Sequence, residues 1–410
     1  MKNTDTEQYI KTVNDIVSQC DRCGSCLTVC PLFGAKDMES SSARGKNNIA
    51  RGMIQGVVEP SGKVLEIVNF CLLCRTCVDN CPSKVKTDDA MIAIRQYFAE
   101  KNGSPGAKYK ALGILMKNRT LVKFSAGTLK VLRKMGMNGI VPHGMAPKEF
   151  TREQYLASFV GPAALGSFVP GPSLKLSDHS KVAYFRGCGM DMMFPDAVEG
   201  TLAILRTLTQ PQMIDNWCCG LPHLAHGLRA DFLEMAKENI KLFQKADVIV
   251  TDCASCSGTL KHIETYFAED PVWQERATAF SRKVMGLSEY LVHVGYKSQY
   301  SADTKLTFHE PCHLGRGQGI KNQPRQLLKA AGHFIEMTGA DTCCGGAGSF
   351  HIDYPDIAQS ILDKKRLNIE NSGADIVVSE CPTCLVQLNK AAAQSGGKFK
   401  VMHISQVLSL

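Results

Sequence analysis

Apolar positions recur along this chain with two different periods, and the change between them divides it. In the first hundred residues the spacing is helical: Ile49, Met53 and Ile54 within Ser41–Gln55, a second run over Lys63–Phe70, then Met91, Ile92, Ile94 and Phe98 within Asp88–Lys101. Two shorter stripes follow, Leu112, Leu115 and Met116 in Ala107–Lys117 and Leu129, Leu132 and Met135 in Leu121–Met135, and predict two more helices. Beyond residue 180 short continuous apolar runs alternate with helical ones. KVAYFR (Lys181–Arg186) and DVIVT (Asp247–Thr251) read as strands around helices at Pro195–Thr207 and Arg229–Lys245. The order then repeats: a strand at Lys305–His309, helices at Gln323–Ala331 and Pro355–Glu370, and a strand, DIVVS, at Asp375–Ser379. An α-helical front part followed by two parallel α/β units is the expected fold class.

The cysteines carry the same division. Cys188, the pair Cys218-Cys219 and the pair Cys253 and Cys256 return as Cys312, Cys343-Cys344 and Cys381 with Cys384, at offsets of 124, 125 and 128 residues. This is an internal duplication. In both copies Cys188 or Cys312, and Cys253 or Cys381, stand just beyond a predicted strand, where open parallel sheets present their crevices; two facing crevices could hold two groups close together. Five thiols per unit exceed a tetrahedral zinc site, and adjacent cysteines rarely reach one tetrahedron. A multi-iron cluster has more corners, and Gly220, Gly345 and Gly346 would let backbone amides approach its sulfides. The alternative is a set of buried or disulfide-bonded thiols.

The other eight cysteines form two runs, Cys20-x2-Cys23-x2-Cys26-x3-Cys30-Pro31 and Cys71-x2-Cys74-x2-Cys77-x3-Cys81-Pro82. Both match the bacterial ferredoxin spacing, in which three close cysteines hold one cubane cluster and the fourth crosses to the other. On that pattern Cys20, Cys23, Cys26 and Cys81 share one 4Fe-4S cluster, and Cys71, Cys74, Cys77 and Cys30 the other. Forty residues separate the runs, and their helical periodicity favours a helical two-cluster domain over a β-rich one.

Composition narrows the setting. A 410-residue chain with 44% hydrophobic residues supports two or three globular cores. Met1–Val13 has no apolar signal segment, so eighteen cysteines point to metal rather than disulfides and to a cytoplasmic location. The uncharged run Gln154–Leu174 has the length of a membrane span, but its glycines and prolines make it a linker. The net charge of +8 is concentrated in Lys101–Arg152, which holds eleven basic residues against Glu149. That segment is either a solvated face over ordinary packing or a docking surface for an acidic partner or anionic lipid. Nucleic acid is not an expected partner, since no recognition motif accompanies the charge.

The two ferredoxin runs, Ala43-Arg44-Gly45-Lys46, the basic connector, His309-Glu310-Pro311-Cys312 and Cys343-Cys344-Gly345-Gly346-Ala347-Gly348 together resemble the CCG-domain iron-sulfur proteins over nearly the whole chain. That family includes iron-sulfur subunits of glycolate oxidase and of related lactate or glycerol-3-phosphate dehydrogenases, and the catalytic heterodisulfide reductase subunit. The resemblance implies a ferredoxin domain at 1–105, a basic connector at 106–178, and CCG repeats at 179–298 and 299–410. It also implies one cluster per repeat, cubane or noncubane, on Cys188, Cys218, Cys219, Cys253 and Cys256 and on Cys312, Cys343, Cys344, Cys381 and Cys384. Both repeats keep all five cysteines, a departure from many glycolate oxidase subunits.

Two functions follow as expectations. One is an electron-transfer subunit serving a FAD-containing 2-hydroxy acid dehydrogenase, of the lactate or glycolate type, and passing electrons to quinone, a membrane cytochrome subunit or another carrier, with peripheral contact at the cytoplasmic membrane face. The other is a heterodisulfide-reductase-like catalytic subunit cleaving a disulfide at the paired repeat clusters. A structural or zinc-binding scaffold is the third class. His223, His226, His309, His313 and His351 lie near the repeat cysteines as proton donors or as hydrogen-bonding supports, and no residue is assigned to catalysis. No Gly-x-Gly-x-x-Gly or P-loop is present, so hydride chemistry must come from elsewhere.

Overall fold

The computed structural model describes residues 2–102, 107–117, 181–298 and 302–409. The predicted helix Leu121–Met135, the linker Gln154–Leu174 and most of the basic segment lie outside the described residues.

The front part is helical, with no strand among the described residues before residue 181. Helices span Lys2–Val17, Ala43–Ile54, Gly62–Asn69 and Thr87–Lys101. Ser42 starts the second by accepting the Gly45 amide on its hydroxyl at 3.1 Å. Tyr9, Val13 and Val17, one turn apart on the first helix, close over Met91, Ile94 and Phe98 of the last. The sequence pattern assigned Ile92 to that same face. It packs instead on the core of the first repeat, because this helix is buried on two sides and serves two cores.

Each repeat is a four-stranded, wholly parallel sheet. The first contains β1 (Val182–Tyr184), β2 (Gln212–Met213), β3 (Val248–Thr251) and β4 (Val284–Gly286) in the order β2-β1-β3-β4. The second contains β5 (Ala302–Phe308), β6 (Gly332–Phe334), β7 (Ile376–Ser379) and β8 (Lys400–His403) in the order β6-β5-β7-β8. The strands expected from continuous apolar runs are the central pairs β1–β3 and β5–β7, covered on both faces. The four edge strands were not anticipated. β2, Gln-Met, and β6, Gly-His-Phe, are too short and too polar to stand out from loops. Prolines open the helices at Pro195, Pro355 and Pro382, where a missing amide costs nothing.

The two repeats share one apolar core, in which Phe185, Phe232 and Phe243 join Leu306, Phe308 and Val378. Polar contacts are exchanged reciprocally. His403, at the end of β8, bonds the Asp252 carbonyl through Nε2 at 2.9 Å, and Ser288, beyond β4, donates its amide to Glu380 at 3.4 Å. The Ala254 amide donates to the Glu380 carbonyl at 2.7 Å, so the loops that carry the paired cysteines of each repeat touch.

The front part is tied to both repeats. Phe70 packs against Phe350 and Tyr354 of the second, with ring centroids 5.7 and 5.0 Å away. Arg95, fully enclosed, donates to the carbonyls of Val68 (2.9 Å), Asn69 (3.3 Å) and Cys71 (3.0 Å) and to Ala225 of the first repeat (2.7 Å). Replacing Arg95 by Met would strand these carbonyls in a site that water cannot easily reach. Arg95→Met is expected to lower stability by about 3 kcal/mol and to release the front part to limited proteolysis. Denaturant midpoints and a time course of cleavage measure the two effects.

Candidate metal centres

No two cysteines are bonded; all eighteen are free thiols. Cys20, Cys23, Cys26, Cys77 and Cys81 line one cavity with Gly24, Arg44 and Asn47. Cys23 is exposed, and the Ser25 hydroxyl at 3.4 Å holds its thiol below the ordinary range. Cys30 lies elsewhere, packed with Cys74 against Phe70. Burial, followed by the neighbouring thiols of Cys74, Cys71 and Cys30, pushes Cys77 well up. Cys81 thus lies beside the first three cysteines of the other run, and Cys30 beside Cys74.

Lys46 closes this second set from below. It is 1% exposed, donates to the carbonyls of Ser40 (3.3 Å) and Ser41, and lies over the Phe70 ring at 5.7 Å. Burial lowers its pKa, while Cys71, Cys30 and Cys77 pull the other way. Such a cation among thiols favours their ionised, metal-binding form.

In the first repeat Cys188 Sγ is 3.5 Å from Cys218 Sγ. In the second, Cys344 Sγ is 3.4 Å from Cys384 Sγ. Both distances exceed a disulfide bond by far. Cys188 and Cys312 begin helices directly after the loops that leave β1 and β5, while Cys253 and Cys381 cap the helices after β3 and β7. Backbone amides aim at the sulfurs: Gly220 at Cys218 (3.4 Å), Gly345 at Cys343 (3.4 Å) and Cys256 at Cys253 (3.3 Å).

In each repeat the second cysteine of the adjacent pair is pulled well below the ordinary thiol range. Cys219 is pulled well down by hydrogen bonds from Cys218 and then Cys256, and Cys344 by those from Cys343 and then Cys384. Cys381 falls to about 6 through its bond with Cys384, helped by Ser255. Buried thiols with amides directed at them, some pulled below their ordinary range, fit a group that binds through several thiolates.

The sets adjoin one another. Cys74 and Cys343 lie within hydrogen-bonding reach, which raises the Cys74 thiol, so the front part meets the second repeat thiol to thiol. Ser255, between Cys253 and Cys256, reaches across to Cys381 Sγ at 3.5 Å and to His313 Nδ1 at 3.0 Å.

Of the other histidines, His223 is bonded through Nε2 to the Gly113 carbonyl at 2.9 Å. His226 stacks on Tyr109 at 4.1 Å and meets Ser349 at 3.1 Å; burial lowers its pKa to about 4. His351 Nδ1 faces the Gly346 carbonyl at 3.2 Å. Only His309 among the five points both ring nitrogens at no protein partner. Asp252 and Glu380 were not singled out as site residues by sequence, although each precedes the last cysteine pair of its repeat. Both are buried, and burial raises them to about 6 and about 7. Their shared repeat position was the available signal.

Residues 182–261 and 306–389 match a family described as a cysteine-rich domain, and residues 16–85 one described as a 4Fe-4S dicluster domain. A probable glycolate oxidase iron-sulfur subunit of Bacillus subtilis is 30% identical over 95% of this chain and 92% of its own length. This chain belongs to the CCG-domain iron-sulfur family. As such it is a 4Fe-4S protein.

Lactate utilization protein A of Halalkalibacterium halodurans is 32% identical over 56% of the chain and 96% of its own length. A fumarate reductase (CoM/CoB) subunit of Methanothermobacter marburgensis is 25% identical over 95% of the chain and 71% of its own length. A hypothetical protein from Helicobacter pylori has a similar fold, with TM-score 0.51 over 98% of this chain and 76% of its own, at 9% identity. No helix among the described residues is long and apolar enough to cross a membrane.

The loop after the paired cysteines leaves no room for a side chain. At Gly345, φ is +81° and a Cβ would lie 2.7 Å from the Ala358 carbonyl oxygen; at Gly220, φ is +87° and the obstacle is the Phe232 ring at 2.7 Å. Gly345→Ala combines about 1–2 kcal/mol of backbone strain with a clash of similar size. The variant is expected to lose iron from the second repeat and to keep the front-part signals. Iron analysis with EPR reads both.

Proposed function

We propose that the chain is the iron-sulfur electron-transfer subunit of a flavoprotein-linked 2-hydroxy acid dehydrogenase, and that the four cysteine sets each hold one 4Fe-4S cluster. Two are cubane, on Cys20, Cys23, Cys26 and Cys81 and on Cys71, Cys74, Cys77 and Cys30. One more sits in each repeat on its five cysteines. The observation that carries the reading is the adjacency of the sets, from the front part through Cys74 and Cys343 into the second repeat and through Ser255 and Cys381 to the first. Such clusters pass one electron at a time, which divides the two-electron output of a flavin. This chain's residues fix the spacing, aim backbone amides at the sulfurs and exclude water. The glycolate oxidase and lactate utilization relatives supply the substrate class, and the chain's lack of a nucleotide-binding loop assigns the oxidation itself to the partner.

A second reading keeps one supporting observation. Both repeats retain five cysteines and their cysteine loops touch, an arrangement suited to splitting a disulfide between two clusters, and the fumarate reductase (CoM/CoB) subunit is among the relatives. Electrons would then leave to a disulfide in place of quinone or a membrane cytochrome.

The basic connector is proposed as the docking surface toward the flavoprotein or the membrane face, in a narrower form than its charge suggests. Lys108 pairs with Asp353, and Lys117 with Asp231 (3.1 Å) and Glu234, so these two cations are spent within the chain. Docking falls to Arg119 and the basic residues after it.

Anaerobic reconstitution is expected to bind about sixteen irons; about eight, with the repeats empty or zinc-filled, would remove the repeat assignment. Purification from the native host is expected to bring down a FAD protein whose reduced flavin reduces the clusters. A haem-bearing membrane subunit with no flavoprotein, and clusters reoxidised by a disulfide, would favour the second reading.

A further inference from the structure

The repeats are copies, but the side chains around their thiols are not. His309 stands three residues before Cys312, and Phe185 three before Cys188. Lys365 is the tenth residue beyond the helix start at Pro355, and Asn239 the tenth beyond Arg229. Arg316 follows Cys312 by four, as Met192 follows Cys188. At all three positions the first repeat is uncharged, and the second carries a hydrogen-bond donor or a cation.

His309 is 1% exposed, and neither ring nitrogen has a partner. A ring nitrogen and the sulfurs of Cys344 and Cys384 all lie within 4.8 Å of one another. An imidazole keeps at least one N–H whatever its charge, and leaving that N–H unmet in a dry interior is costly. A sulfur of the bound group is the acceptor that the site offers. Lys365 is 0% exposed, anchored to the carbonyls of Gly339 (2.6 Å) and Ala340 (3.2 Å). Asn239 donates a neutral amide to the Cys218 carbonyl at 2.9 Å. The Arg316 side chain is 4% exposed; Nη2 meets Asp341 at 3.0 Å, and Nη1 has no partner.

Some buried charges recur in both copies: Asp252 matches Glu380, and each repeat holds an arginine–carboxylate pair, Arg186–Asp191 (3.2 Å) in the first and Arg325–Glu310 (2.7 Å) in the second. His309, Lys365 and Arg316 add to the second repeat at positions where the first carries no charge. Reduction adds negative charge to a cluster, and an N–H donor or a nearby cation stabilises the reduced form more than the oxidised one.

We propose that His309 donates its ring N–H to a sulfur of the group held by the second repeat and, with Lys365 and Arg316, keeps that group at a higher reduction potential than its counterpart in the first repeat. The pair is thereby polarised. An electron arriving through the front part rests beside Cys343 until a second arrives or an acceptor draws it onward. This rests on the ligand assignment proposed above.

The test is an EPR-monitored potentiometric titration of the whole reconstituted chain, with the second-repeat signal identified as the one lost in Cys384→Ser. His309→Phe copies the first repeat and is expected to shift that signal to lower potential with the others unmoved. His309→Asn, which keeps an N–H donor, should fall between. Lys365→Met should shift it in the same direction and carries the test if His309→Phe loses iron. An unmoved potential at full iron content, or a first-repeat signal already the higher of the two, overturns the inference while leaving the clusters in place. A wild-type chain with no signal that Cys384→Ser removes refutes the ligand assignment, and this inference with it.

Discussion

The fold is organised by the need to satisfy ten thiols in two dry crevices without bonding them to one another. A buried thiol is a weak donor and a costly thiolate, so a group of five in one place is stable only where something shares their charge. The chain meets this in part by itself. Amides of Gly220, Gly345 and Cys256 are turned toward sulfur, and hydrogen bonds from neighbouring thiols pull Cys219 and Cys344 well below the ordinary range. Parallel strands place these loops at one edge of each sheet, where the backbone leaves the ladder and its amides are free to point at a ligand.

From that constraint the domain arrangement follows. The cysteine loops of the two repeats touch through Ala254 and Glu380, and the front part presents Cys74 to Cys343. Sealing this junction requires buried cations as well as apolar rings, and Arg95, Lys46 and Lys365 supply them, each tied to backbone carbonyls rather than to carboxylates. A carbonyl-bound cation keeps its full charge available to the thiols beside it, whereas a carboxylate partner offsets part of it, as the exposed Asp341 does for Arg316. The two duplicated crevices differ at His309, Lys365 and Arg316, where the first repeat has Phe185, Asn239 and Met192.

Much of this was legible in the residues. The central strands could be read because VIV and IVV, covered on both faces, have no helical period, and the cysteine duplication fixed where the crevices lie. The proposed crossing of Cys30 and Cys81 rests on the spacing of the two runs. What escaped was of two kinds. The edge strands are two to four residues long, and their pairing comes from the neighbouring strand rather than from their own composition. Contacts distant in sequence, such as Arg95 to Ala225 or Cys74 to Cys343, leave no periodic trace. Ile92 shows the same limit: a helix period reveals which residues are apolar, but not that two separate cores divide them.

The central claim is that the front part and the repeats form one electron path through the junction of Cys74 and Cys343. It is tested most directly by the EPR spectrum of the fully reduced, anaerobically reconstituted chain, recorded alongside the Cys343→Ser variant. The account predicts spin–spin broadening of a front-part signal by its neighbour in the second repeat, lost when Cys343 is replaced. Front-part signals that are sharp, independent and identical in the two proteins would contradict it.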